Sequence, residues 1–296
     1  TCYQGIRDFA ESDFEKLLVS KGAVECAEVD KALDKASQWS KQEFFQLHCP
    51  PLPPNDQPRA DEPELIESLL DRRPFRRHER DDWTEANWRR HRWAYHRLTE
   101  RVDTQIGVIL DALEATGQMD NTVVIFTSDH GDHDASHKLE HKTMFYDEAV
   151  RVPLIVADPD CPASACGSVN RENLVQTGLD LMATGCDYLG VAKPGHNLVM
   201  SFVDPARGRS PASWREGVYA ENEISFMYAT DRYKFVRYDS GANSRQLYDM
   251  EADPGETRNW IGDPGMAVVA SKLESALDRE HARHEKLSLA DRVAPR

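Results

Sequence analysis

The sequence lacks any apolar run approaching the roughly eighteen residues needed to cross a membrane. It is also poor in positive charge, because 36 Lys and Arg residues stand against 51 Asp and Glu residues and leave a formal net charge of −15. Such a surface repels nucleic acid and anionic membranes. We therefore expect no nucleic-acid partner and no insertion into a membrane. Its 40% of hydrophobic residues can still build a globular core.

Cysteine is scarce as well. Six cysteines in 296 residues include no CxxC pair, which argues against a disulfide framework and against a structural zinc site of the usual spacing. The first residues contain no basic segment followed by an apolar one, so no signal peptide is visible. Neither the compartment nor the oligomeric state can be predicted from these features.

The most informative segment is a short apolar run that ends abruptly in polar residues. Residues 123–126 are Val-Val-Ile-Phe and predict a strand buried on both faces, as in a parallel sheet. Asp129, His130 and Gly131 follow at its carboxyl end, where α/β proteins gather ligands. A carboxylate and an imidazole suit one divalent cation, so Asp129 and His130 are candidate metal ligands. Taken alone, however, the segment is more typical of a polar turn.

Further motifs follow in a fixed order. His137 and Lys142 lie in a connection rich in histidine and lysine, and Tyr-Asp-Glu-Ala-Val-Arg-Val-Pro-Leu-Ile then leads into an apolar strand at 152–156. Upstream, apolar residues between 95 and 113 have the spacing of a helix with one buried face, and Gly117 is a suitable helix stop. Downstream comes Leu-Tyr-Asp-Met-Glu-Ala-Asp-Pro-Gly-Glu. This ordered set resembles the sulfatase family of the alkaline phosphatase superfamily.

The resemblance implies roles for five residues. Asp129 and His130 would bind a divalent cation, with Ca²⁺ the expected ion and Mn²⁺ or Mg²⁺ as alternatives. Lys142 and His137 would bind the sulfate group, and either could protonate the leaving alcohol. His48 would be a further substrate contact.

One motif of the family is absent. Sulfatases carry Cys/Ser-x-Pro-x-Arg, whose cysteine or serine is oxidised to a formylglycine nucleophile, and none of the six cysteines has that context. The family also takes two adjacent aspartates from its first strand, and Asp81-Asp82 matches poorly because no apolar strand precedes it. We therefore expect the C-terminal part of a sulfatase, with the formylglycine in a missing N-terminal part. On its own, the chain should show little or no turnover.

The resemblance implies an α/β, alkaline phosphatase-like fold with a mixed sheet flanked by helices. We expect strands of this sheet at 44–47, 123–126 and 152–156. A smaller antiparallel sheet should hold strands at 218–221, 226–230 and 233–238. We assign a partial α/β core to residues 1–205, and a C-terminal subdomain with this sheet and a terminal helix to residues 206–296.

The function implied is that of a metal-dependent sulfuric ester hydrolase acting on a small-molecule or saccharide sulfate ester. Two alternatives stay open. Hydrolases of phosphonate monoesters or phosphodiesters share the metal turn, and sulfate and phosphoryl groups have the same tetrahedral geometry. A chain without the nucleophile could instead be a non-catalytic remnant that acts as a binding protein.

Overall fold

A computed structural model describes residues 41–193 and 198–293, with the backbone alone described for 41–44 and 286–293. Two compact units are present. Within the described residues, the first comprises 41–56, 78–120 and 134–140, and the second comprises 57–77, 121–133, 141–193 and 198–293. The predicted domain boundary at residue 205 stays a prediction.

The elements of the described residues are numbered along the chain. The helices are α1 (Lys41–His48), α2 (Glu64–Asp71), α3 (Pro74–Asp82), α4 (Glu85–Ala115), α5 (Asp147–Val150), α6 (Thr177–Leu189), α7 (Val203–Ala206) and α8 (Ala267–Val293). The strands are β1 (Val124–Thr127), β2 (Leu154–Ala157), β3 (Val218–Glu221), β4 (Ser225–Ala229), β5 (Tyr233–Tyr238) and β6 (Arg245–Asp249). Among the described residues, none of the helices is long and apolar enough to span a bilayer.

In the first unit, the helix predicted near residues 95–113 is confirmed as α4. It begins with a capping box, in which Thr84 Oγ1 accepts from the Asn87 N–H and Asn87 Oδ1 accepts from the Thr84 N–H. It ends at Ala115, and Gly117 follows with a φ of 65°, which glycine adopts without strain. The Gln118 N–H then donates to Leu113 O at 2.9 Å and completes a Schellman motif.

The face that this helix was expected to bury is covered only in part. Tyr95 is 37% exposed, Val102 is 55% exposed and Ile109 is 61% exposed, whereas the other apolar residues of the face are half-buried: Leu98, Ile106, Leu110 and Leu113. Helical spacing reports which residues share a face, but whether another element covers that face depends on the tertiary structure.

The strand predicted at 44–47 is wrong, because these residues lie in helix α1. Pro50 and Pro51 follow the helix, and proline disfavours helical continuation in the residues before it. Arg89 of α4 secures the end of α1. Its guanidinium lies 4.2 Å from the centroid of the Phe45 ring, and its Nη2 donates to Cys49 O at 2.8 Å. A tertiary contact thus supports a helix in a segment whose apolar residues suggested a strand.

In the second unit, the strands predicted near 123–126 and 152–156 are present as β1 and β2. They pair antiparallel, with Val124 opposite Ala157 and Thr127 opposite Leu154. The expected burial on both faces is wrong for β1, whose residues are mostly half-buried. Within the described residues these two strands form a two-stranded sheet rather than part of a larger mixed one. A continuous apolar run indicates a strand, but it specifies neither the direction of pairing nor the covering layer.

The smaller C-terminal sheet is confirmed, and β6 extends it to four antiparallel strands in the order β3-β4-β5-β6. Side chains of successive strands line up across it: Tyr219 lies opposite Tyr228, Tyr228 opposite Phe235, and Phe235 opposite Leu247. Helix α8 packs on this row through its own buried residues, Ala270, Leu273, Ala276 and Leu277. This layer of helix on sheet forms a core of the second unit.

Candidate active site

The turn after β1 carries the two predicted metal ligands. Asp129 Oδ2 lies 3.4 Å from His130 Nε2, and the Asp129 side chain is 82% exposed. The His130 N–H donates to Asp129 Oδ1 at 3.0 Å, and this bond lowers the pKa of the Asp129 carboxyl from its ordinary value. The turn therefore presents an ionised carboxylate to solvent beside an imidazole nitrogen.

The contacts of His130 assign its hydrogen to Nδ1. This nitrogen lies 2.8 Å from Gly131 O, and a carbonyl oxygen can only accept a hydrogen bond. The lone pair of His130 then resides on Nε2, which accepts from Lys142 Nζ at 2.5 Å. An imidazole whose Nδ1–H is fixed by a carbonyl and whose Nε2 carries a lone pair is the tautomer that binds metals.

Gly131 is required here because the chain passes very close to another backbone segment. Its N–H donates to Ala149 O at 2.8 Å. A Cβ at this position would lie 1.9 Å from the carbonyl oxygen of Glu148, far inside van der Waals contact. The glycine in this turn thus permits the approach of the segment that begins α5.

The chain returns to this turn through residues 141–143. The His133 N–H donates to His141 O at 2.8 Å, and the His141 N–H donates to Asp132 Oδ1 at 3.1 Å. His141 and Thr143 have φ values of 66° and 125°, which L-residues rarely adopt. Lys142 therefore lies between two residues with sparsely populated backbone conformations, as is common at functional sites.

Arg76, which belongs to none of the sequence motifs, borders the same segment. Its Nη1 lies 3.5 Å from Lys142 O and 3.4 Å from Thr143 Oγ1. Burial and the nearby Arg76 guanidinium lower the pKa of His141 to about 4. His141 is therefore neutral at physiological pH.

His137 and His48 belong to the first unit. His137 is buried, its N–H donates to Asn55 O at 2.7 Å, and its Nε2 lies 3.4 Å from Asn55 Nδ2. Arg80 Nη1 donates to His137 O at 3.1 Å. His48 is the last residue of α1 and is exposed, so it ends a helix rather than the predicted strand. Contacts of His137 and His48 with substrate stay predictions.

Asp129 and His130 fit part of a cation site. A carboxylate oxygen and an imidazole nitrogen facing one point are donors that Ca²⁺ or Mn²⁺ accepts, although imidazole is less usual for Ca²⁺. Across the described residues, no group of three or more His, Cys, Asp and Glu side chains is placed to hold a metal ion. The pair therefore fits two positions of a larger ligand set.

The segment that follows Lys142 is held by three residues that sequence reasoning did not assign to the site. Asn222 follows β3, Lys234 lies on β5, and Glu256 follows β6. Glu256 ends the Leu-Tyr-Asp-Met-Glu-Ala-Asp-Pro-Gly-Glu motif, so its position was visible in the sequence. Its contact could not be seen there, because Glu256 and Asp147 are distant in the chain and meet only in the tertiary structure.

Comparison with known proteins defines the class. The sulfatase family profile matches residues 31–191, which is more than half of the chain. The profile for the C-terminal region of N-sulphoglucosamine sulphohydrolase matches residues 135–283. The chain belongs to the sulfatase family of hydrolases, within the alkaline phosphatase superfamily.

Individual relatives agree with this assignment. A Delta 4,5-hexuronate-2-O-sulfatase from Bacteroides thetaiotaomicron is 34% identical over 66% of this chain and 42% of its own length. A solved 2-O GAG sulfatase superimposes with a TM-score of 0.74 at 30% identity, over 80% of this chain and 53% of its own. A phosphonate monoester hydrolase of Agrobacterium radiobacter gives a TM-score of 0.61 at 28% identity, over 69% of this chain and 43% of its own. The alkaline phosphatase-like fold is thereby confirmed, and the chain spans about half the length of these relatives or less.

Proposed function

We propose that this chain contributes cation-binding and sulfate-binding residues to a sulfate-ester hydrolase. The observation that carries the proposal is the position of Lys142, whose Nζ lies 2.5 Å from His130 Nε2 beside the exposed Asp129 carboxylate. An ammonium group next to a candidate cation site suits an anionic ester that is bound by both. The ammonium group and the cation would each stabilise negative charge on the ester oxygens. The family assignment supports the same chemistry.

Each residue would have a separate task. Asp129 and His130 would hold a divalent cation, with Ca²⁺ expected and Mn²⁺ or Mg²⁺ as alternatives, which when bound would neutralise charge on the ester oxygens. Cation binding would take up the His130 Nε2 lone pair and release Lys142 Nζ, which would then bind a non-bridging sulfate oxygen. Lys142 or His137 would donate a proton to the leaving alcohol oxygen, since the departing alkoxide needs one. The 296 residues contain no formylglycine motif, so these residues would act on the sulfate and leaving groups rather than supply the nucleophile.

We propose a sulfated saccharide as the substrate class. Two relatives support this choice: the hexuronate-2-O-sulfatase and an N-acetylglucosamine-6-O-sulfatase from the same organism, which is 29% identical over 62% of this chain. A choline-sulfatase of Rhizobium meliloti, 28% identical over 68% of this chain, keeps a small-molecule ester as the alternative.

Hydrolysis of phosphonate monoesters is the second candidate function. The structural similarity to the Agrobacterium enzyme favours it, since 69% of this chain is covered. The greater identity to the hexuronate-2-O-sulfatase gives the sulfatase more support. The affinities of the chain for a sulfate ester and a phosphonate monoester of the same phenol, measured side by side by NMR titration, would separate the two candidates, because this comparison does not require turnover.

Titration calorimetry with Ca²⁺ and Mn²⁺ tests the cation site. Because two ligands alone bind weakly, we expect a Kd above about 10⁻⁴ M for the wild-type chain. Asp129→Ala should abolish this binding. Asp231→Ala, which removes an exposed acid from a turn of the C-terminal sheet, is the matched control and should leave it unchanged. Tight binding that survives Asp129→Ala would refute the assignment.

A further inference from the structure

The segment from Thr143 to Asp147 connects Lys142 to α5, and the C-terminal sheet contacts it repeatedly. Asn222 Nδ2 donates to Thr143 O at 2.6 Å. Lys234 Nζ donates to Phe145 O at 3.1 Å. The intervening residue is also contacted, since Tyr238 Oη lies 3.7 Å from Met144 Sδ. All these residues belong to the second unit.

Lys234 and Glu256 form a buried ion pair at the far end of the segment. Their side chains are 2% and 1% exposed, and Lys234 Nζ lies 3.0 Å from Glu256 Oε1. Lys234 Nζ also lies 2.5 Å from Asp147 Oδ1, and the Asp147 N–H donates to Glu256 Oε2 at 2.6 Å. Although burial opposes the charged form, the carboxylates of Glu256 and Asp147 raise the pKa of Lys234. The start of α5 is therefore fixed through both its backbone and its side chain.

Asn222 makes two kinds of contact that can be separated by mutation. Its Oδ1 accepts from the backbone N–H groups of Ile224 and Ser225, at 3.0 and 2.9 Å, and closes the turn between β3 and β4. Its Nδ2 is the donor to Thr143 O. The side-chain oxygen thus stabilises the turn, and the side-chain nitrogen binds the segment next to Lys142.

This segment needs external support. Thr143 has a φ of 125°, and a non-glycine residue persists in such a conformation only where its surroundings determine it. Lys142 has an exposed side chain that packing alone does not orient. The position of its ammonium group therefore depends on how firmly the neighbouring backbone is held.

We propose that Asn222 and the Lys234–Glu256 pair are positioning residues, through which the C-terminal sheet places Lys142 at the sulfate site. The inference rests on the proposed sulfate-binding role of Lys142. It assigns the C-terminal sheet a part in substrate binding that extends beyond stability.

Asn222→Asp is the discriminating variant. Its Oδ1 still accepts from the turn, but an oxygen replaces the donor that faces Thr143 O, so one hydrogen bond becomes a repulsion. Ser225→Ala is the matched control, because it removes the 3.0 Å bond from Ser225 Oγ to Asn222 Oδ1 and leaves the contact with Thr143 intact. Glu256→Ala and Glu256→Gln form a second pair of test and control variants, because only the Gln side chain keeps an acceptor for the Asp147 N–H.

Two measurements on the purified chain are needed. Hydrogen exchange, followed by mass spectrometry on peptides covering residues 142–147, should be about tenfold faster in Asn222→Asp and unchanged in Ser225→Ala. NMR titration measures the affinity for inorganic sulfate, with Lys142→Ala used to identify the site. This affinity should fall about five- to tenfold in Asn222→Asp and should stay unchanged in Ser225→Ala. Hydrogen exchange in the same peptides should be slower in Glu256→Gln than in Glu256→Ala.

The outcomes separate the inference from the function on which it rests. Unchanged hydrogen exchange in Asn222→Asp would show that Asn222 does not hold the segment from Thr143 to Asp147. Faster exchange with wild-type sulfate affinity would overturn positioning, provided that Lys142→Ala abolishes binding. If Lys142→Ala leaves sulfate affinity unchanged, the proposed sulfate site itself is wrong and the inference fails with it. If Glu256→Ala does not fold, Asn222→Asp still decides.

Discussion

The backbone of Gly131 lies so close to Glu148 that a Cβ at Gly131 would stand 1.9 Å from the Glu148 carbonyl oxygen. This contact joins the turn bearing Asp129 and His130 to the start of α5, to which the segment following Lys142 leads. The relative position of the candidate cation ligands and the candidate sulfate ligand thus depends on one residue without a side chain.

Gly131→Ala should therefore destabilise the chain and weaken cation binding. Neighbouring backbone must shift to accept the methyl group, which typically costs about 1–3 kcal/mol. Urea unfolding and calorimetry with Ca²⁺ measure the two effects. Gly185→Ala in α6 is the control, since its Cβ meets nothing within 4 Å and the loss of a helical glycine should stabilise by about 0.5–1 kcal/mol. Equal stability changes in the two variants would contradict the close approach.

The purified 296-residue chain should show little or no turnover of an aryl sulfate. Its sequence contains no Cys/Ser-x-Pro-x-Arg motif to supply the formylglycine nucleophile. Loss of a nucleophile typically removes most of the rate, although charge stabilisation by the remaining residues can leave some. A chromogenic assay with and without Ca²⁺ measures this. Robust metal-dependent turnover would show that another residue serves as the nucleophile.

Because of Asp158, the free energy of unfolding should decrease at acidic pH. Its side chain is 1% exposed, and Arg207 Nε binds its Oδ2 at 2.6 Å. Hydrogen bonding to Arg207 lowers the pKa of Asp158 in the folded state. The pair therefore stabilises fully above the ordinary pKa of an aspartate, and its contribution is lost as the pH falls through the lowered folded value.

The test compares urea unfolding of the wild type and Asp158→Asn between about pH 7 and about pH 3. The difference in unfolding free energy should be largest near neutrality and should shrink in acid. A difference that stays constant over this range would show that the charge on Asp158 does not contribute.

Asp180 should be far more important for stability than its neighbour on α6, Asp187. Asp180 is fully buried and bridges to Arg215, with Nη2 at 2.7 Å from Oδ1, while its oxygens also accept from the N–H groups of Gln176 and Met200. Asp180→Asn leaves the mostly buried Arg215 guanidinium without its charge partner and should cost about 3–5 kcal/mol. Asp187→Asn breaks a half-exposed pair with Lys193 and should cost less than about 1 kcal/mol. Similar losses in denaturant unfolding would contradict the assigned burial.

Local patterns in the sequence predicted several elements correctly. Helix α4 follows from its apolar spacing and its stop at Gly117, and β3, β4 and β5 follow from short strand-forming runs separated by turns. The strand–turn sequence at β1 also predicted that Asp129 and His130 lie together. These features depend on residues close in the chain, so their physical causes are present in the sequence.

The errors concern features that depend on distant residues. The apolar residues near 44–47 suggested a strand, but the structure has a helix whose end is bound by Arg89. Residues 123–126 were expected to be buried on both faces, yet β1 pairs antiparallel with β2, and Phe126 is 37% exposed. Neither the pairing partner nor the covering layer is encoded in the composition of a single strand.

By itself, the sequence determined the family and the candidate groups, because the ordered motifs fix the chemical types of side chain available after β1. Tertiary structure alone decided how those groups are held. It brought Lys142 Nζ to His130 Nε2, and it placed Lys234 and Glu256 in a buried pair beside Asp147. The physical reason is that motif identity is local, whereas hydrogen bonds and ion pairs between distant residues form only when folding brings their backbones together.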